Sequence, residues 1–61
     1  GQHGVVEEHV VNREATGVVE IDGEAWTARA NDDRQTFAPG EAVEVVAVRG
    51  AIAVVDRPQP R

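Results

Sequence analysis

Few side chains in this chain could carry chemistry. The sequence has neither Cys nor Ser, so the usual nucleophiles reduce to Thr16, Thr27 and Thr36, and no spacing sets a general base beside any of them. His9 follows Glu7 and Glu8, and an imidazole with carboxylates can bind a divalent ion or move a proton. At strand spacing, however, Glu7 and His9 share a face while Glu8 points away, so at most one carboxylate joins the imidazole. His9 therefore reads as a solvated surface residue, and His3 as part of the N-terminal segment. Asp32 and Asp33 lack the further oxygen ligands of a calcium loop and read as a solvated turn. No catalytic, cofactor-binding or metal-binding residue is expected.

Nucleic acid is disfavoured too. The 61 residues hold six Arg, no Lys and eleven acids, giving net −5 and a pI near 4.7, a balance that repels phosphate backbones and anionic lipid headgroups. Arg13, Arg29, Arg34, Arg49 and Arg57 lie among acidic neighbours, and the only aromatics are Trp26 and Phe37. Single-strand binding needs a basic groove and aromatic platforms. No apolar run approaches the roughly 18 residues of a bilayer span, and no signal-peptide pattern opens the chain. Gly1-Gln2-His3-Gly4 carries no initiator Met, so the chain reads as a segment excised from something longer, with residues 1–4 a flexible start or an artificial scar. What remains is recognition through a surface.

The elements that build such a surface are strands. Val is abundant, whereas the helix formers Leu, Lys and Met are absent; Val is stiff at χ1 and suits a pleated, half-buried surface. A chain this short buries only about 60% of its unfolded surface, so the core must be well made. Val18-Val19-Glu20-Ile21 and Glu24-Ala25-Trp26-Thr27-Ala28 alternate around Asp22-Gly23, a strong signal for a type I′ hairpin. That turn pairs Val19 with Trp26 and Ile21 with Glu24, setting Val19, Ile21, Trp26 and Ala28 on one face. Trp26 is either the largest core residue or, if exposed, an interface anchor.

Residues 5–11 are apolar at both ends and charged between, which fits a first strand that bends or bulges. Asn12 to Gly17 is a polar turn. Asn31 to Thr36 is a polar loop, and Pro39-Gly40 is the pair expected of a type II turn. Ala42 to Val48 and Ala51 to Val55 form a second hairpin around Arg49-Gly50, with Gly50 taking positive φ. Residues 5–56 thus form one all-β domain of five strands. Residues 57–61 form an extended, Pro-containing tail.

The second hairpin does not alternate cleanly. With Val43, Val45, Ile52 and Val54 inward, Val46, Val48 and Val55 face out. A bulge near Val45-Val46 could switch the phase and bring most of these Val into a closed barrel; otherwise they form an exposed apolar patch of the kind that marks a partner or self-association surface. Phe37 either caps the barrel end or protrudes as a contact. The expected core is Val19, Ile21, Trp26, Ala28, Val43, Val45, Ile52 and Val54, and the expected interaction residues are Val46, Val48, Val55 and Phe37.

The ordered set Gly17-x-Val19-x-Ile21-Asp22-Gly23-Glu24-x-Trp26-x-Ala28, then Pro39-Gly40-x-x-Val43-x-Val45-Val46-x-Val48-x-Gly50-x-Ile52-x-Val54, resembles the C-terminal soluble domain of the NfeD family. The segment ahead of Gly17 is longer than the family's usual first strand and turn. The resemblance implies a five-stranded OB-like barrel on the end of transmembrane helices in a bacterial or archaeal membrane protein. It also implies a role in regulating membrane protease activity, with a stomatin- or flotillin-like protein or a membrane protease as partner, and favours the cytoplasmic side. Membrane attachment would come only from a transmembrane segment outside this sequence. The expectation is a non-catalytic interaction domain without cofactor. Two alternatives stand beside it: a structural spacer or homo-oligomerisation domain, and an OB domain binding oligonucleotide or saccharide, which charge and aromatic content disfavour.

Overall fold

The computed structural model describes residues 2–58. Six strands, β1 (His3–Val11), β2 (Thr16–Ile21), β3 (Glu24–Ala30), β4 (Thr36–Phe37), β5 (Ala42–Arg49) and β6 (Ile52–Asp56), form one sheet, with a 3₁₀ turn at Asn12–Glu14. The order β2-β3-β6-β5-β1 closes because β1 also pairs with β2. The result is the expected all-β, five-stranded barrel, with β4 a short addition to the far end of β1. Neighbours are antiparallel except β3 and β6, which run parallel.

Local chemistry sets the turns. Asp22 and Gly23 have φ of 52° and 82°, the two positive values of a type I′ turn, and the hairpin registers Val19 opposite Trp26 and Ile21 opposite Glu24,. Gly40 follows Pro39 with φ 92°, and Glu41 N–H donates to the Ala38 carbonyl at 3.1 Å, closing a type II turn,. That turn docks on β1, since Gly40 N–H donates to Val6 O at 2.8 Å and Val6 N–H to Glu41 O at 2.9 Å. The second hairpin turns at Gly50-Ala51, one residue later than expected, because Arg49 pairs with Ile52.

Strand β1 bends as its charges foretell. Two register shifts, between Val6 and Glu8 and between Glu8 and Val11, leave Glu7, Glu8 and His9 all exposed while Val6 and Val10 are both buried. A regular strand could not do this, because its period of two would bury one of the three. The strand also starts at His3, and Gly4 is buried against β2. Of residues 1–4, expected as a flexible start or an artificial scar, His3 and Gly4 belong to β1; Gly1 lies outside the described residues, as do 59–61 of the expected tail.

The core comprises Val6, Val10, Val19, Ile21, Ala28, Ala30, Phe37, Val43, Val45, Ala53 and Val55, with Trp26 packed against it half-buried. Among the described residues no polar or charged side chain is buried. Val19, Ile21, Ala28, Val43 and Val45 lie where expected. Strand β6 has the opposite phase: Ala53 and Val55 face the core, whereas Ile52 is half-buried and Val54 is buried outside the core cluster. The parallel neighbour decides this, pairing the inward Ala28 and Ala30 of β3 with Ala53 and Val55. The expected bulge in β5 exists: Val45 opposes Val55 and Ala47 opposes Val54, which makes Val46 the extra residue.

Candidate interaction surface

Among the described residues three large apolar side chains are exposed: Val5 at 46%, Val46 at 45% and Val48 at 56%. Val46 stands at the β5 bulge. Val48 lies beyond it, opposite Ala53. The bulge therefore does not bring these two Val into the core. Phe37 and Val55, expected among the interaction residues, are only 2% and 0% exposed. Phe37 pairs with Val10 through β4 and plugs one barrel end, and Val55 is held inward by Ala30 and Val45. The candidate surface narrows to Val46 and Val48.

These residues adjoin the other end of the barrel. There β3 begins at Glu24, but β6 pairs with it only from Thr27 opposite Ile52. Trp26 consequently has no β6 residue beside it and stays half-buried, so it belongs to the core margin and to the surface at once. Trp26, Ile21, Val45, Val48 and Ala53 line a cleft of about 100 Å³, with Gln2, Asp22 and Glu24 at its edge. Gln2 Nε2 donates to Asp22 Oδ2 at 2.8 Å, and the Gln2 carbonyl accepts from Val45 N–H at 2.7 Å, fixing the start of β1 over this mouth.

The Phe37 end is polar and self-engaged. Asn12 Nδ2 donates to Ala30 O at 2.9 Å and to Asp33 Oδ1 at 2.8 Å, while Asn12 Oδ1 accepts from Ala30 N–H at 2.9 Å. This amide supplies a bridge between the ends of β1 and β3 that the sequence gives no motif for. Asp32 Oδ1 accepts from Arg34 N–H at 2.9 Å, and that backbone bond, with the Arg34 guanidinium, holds its carboxyl below the ordinary 3.8. Asp56 is likewise lowered, first by Gln35 Nε2 at 2.8 Å, then by Arg57 N–H and Asn31. Asp33 pairs with Arg29 at 3.7 Å. A shallow groove of about 540 Å³ at this end is lined by Val11, Arg13, Glu14, Asp33, Arg34 and Thr36. Among the described residues no three His or carboxylate side chains gather as a metal site would require.

Similarity to known proteins runs the length of this barrel. The soluble domain of a membrane protein implicated in regulation of membrane protease activity, from Corynebacterium glutamicum, is 38% identical, with a TM-score of 0.86 over 93% of this chain and 87% of its own. The C-terminal domain of stomatin operon partner protein 1510-C from Pyrococcus horikoshii is 30% identical, with a TM-score of 0.81 over 98% of this chain and 88% of its own. No curated protein matches the chain. The family of NfeD-like C-terminal, partner-binding domains matches at residues 1–57, and the chain belongs to it.

Proposed function

We propose that this domain is a non-catalytic interaction module of a membrane-anchored NfeD-like protein. It engages a stomatin- or flotillin-like membrane protein, or a membrane protease, and so takes part in regulating membrane protease activity on the cytoplasmic side. The observation that carries the reading is the exposure of Val46 and Val48 at one barrel end, beside the half-buried Trp26, on a domain where among the described residues only Val5 is another exposed large apolar side chain. The family's partner-binding character and the two related domains agree with it. No described helix is long and apolar enough to cross a membrane.

The test is capture from native membranes with the domain as bait, followed by mass spectrometry, using Val46→Lys/Val48→Lys as the control. Both side chains are exposed, so circular dichroism of the control should match the parent. Recovery of a stomatin-like protein or membrane protease by the parent alone supports the reading. Recovery of nothing by either, with a monodisperse domain, favours a structural spacer; self-association alone favours oligomerisation.

A further inference from the structure

We infer that the barrel mouth beside Trp26 seats an extended, basic segment of the partner, with one aliphatic side chain in the cleft and a Lys or Arg against Asp22 and Glu24. The inference rests on the partner-binding reading and gives it a place and a chemistry.

Two strands outrun their neighbours at this mouth. On the side facing β1, β5 is paired at Ala42, Val43 and Glu44, and Gln2 O takes the Val45 N–H. Beyond Val45 the described chain offers no strand to that edge, although β5 runs on to Arg49. Residues 46–49 thus present a row of backbone groups to which an extended peptide can add as a strand. The same four residues carry both exposed Val of β5, which an added strand would cover.

Beside this edge lies the Trp26 cleft. Its volume of about 100 Å³ suits a single aliphatic side chain of Val or Leu size. Trp26, Ile21 and Val48 make its walls apolar. Asp22 and Glu24 stand at its rim, and neither is ion-paired to an Arg among the described residues. On a chain of net −5, a basic partner segment is drawn in and an acidic one repelled.

The experiment is an NMR titration of the ¹⁵N-labelled domain with acetyl-Lys-Val-Lys-Leu-Lys-Val-amide and its twin with Glu in place of Lys. The basic peptide should shift the Trp26 indole N–H and the backbone amides of residues 46–49, and the acidic twin should leave them unmoved. Asp22→Asn/Glu24→Gln should weaken the basic peptide about tenfold; Asn tolerates the positive φ of residue 22, so the hairpin survives. Val48→Lys should weaken it similarly while the Phe37-end amides stay in place. Binding insensitive to the rim variant, shifts confined to the opposite end, equal binding of both peptides, or no binding overturns the inference. Concentration-dependent shifts at residues 46–49 without peptide also overturn it, since the occupant is then a second copy. Membrane capture that succeeds while these shifts fail removes only this site; failure of both removes the interaction reading itself.

Discussion

Asn12 offers the sharpest test of how this barrel is held together. Its half-buried side chain accepts from the N–H of Ala30 and donates to its C=O, both at 2.9 Å, doing the work of a strand between β1 and β3, which do not pair as a ladder. Ala30 is 3% exposed, so Asn12→Ala leaves two backbone groups short of partners in a sheltered place. At about 0.5–1.5 kcal/mol net per hydrogen bond, the two together contribute about 2 kcal/mol. A domain of this size has roughly 3–9 kcal/mol in all, and the loss should lower Tm by about 8–16 °C. Asn12→Asp preserves shape and the acceptor for Ala30 N–H, but it aims a carboxylate at the Ala30 carbonyl and at Asp33. It should therefore be at least as damaging at neutral pH. Protonation of that carboxyl at low pH returns an O–H donor toward the Ala30 carbonyl, so the variant's deficit relative to the parent should shrink as pH falls. Urea unfolding followed by the fluorescence of Trp26, the single Trp, reads all three proteins. Asn12→Asp as stable as the parent at pH 7, or a loss under about 0.5 kcal/mol for Asn12→Ala, would refute the bridge.

Three further outcomes follow from the same structure. Gly17→Ala would set a Cβ 2.5 Å from Ala28 O and 3.2 Å from Val10 Cγ2 at φ 154°, a backbone clash that should cost about 3 kcal/mol or more and abolish cooperative melting by circular dichroism. Ala15 has φ 56° without being Gly, so Ala15→Gly should stabilise by about 0.5–1 kcal/mol in urea unfolding. Asp32 and Asp56 both titrate below the ordinary 3.8. Their contribution is then complete above that value and is lost as pH falls through the lowered ones; Asp56→Asn should show a smaller drop in Tm between pH 6 and about pH 3 than the parent.

Sequence legibility followed how many readings each residue type allowed. Asp22-Gly23 and Pro39-Gly40 specify backbone angles almost alone, so both turns and the β2–β3 register were readable. The run Glu7-Glu8-His9 between apolar pairs announced a bulged β1, because no regular strand hides its neighbours and exposes all three. Strand β6 was not readable in phase: Ile52, Ala53, Val54 and Val55 are all apolar, and it is the parallel pairing with β3 that sends Ala53 and Val55 inward. Phe37 lies in a strand of two residues, too short for any period, so its choice between plug and contact needed the fold. Of the interaction residues, Val46 and Val48 emerge exposed because β5 passes its bulge and leaves the cover of β1, a matter of strand length that composition does not express.

The most direct test of partner recognition at the Trp26 end is site-specific photo-crosslinking in the proposed membrane-anchored protein, with a benzophenone side chain at position 48 and, as control, at exposed Arg13 on the opposite end. A crosslink should form from position 48, and not from position 13, to a stomatin-like protein or membrane protease. Equal crosslinking from both positions, or capture at position 48 of nothing but a second copy of the same chain, would contradict it.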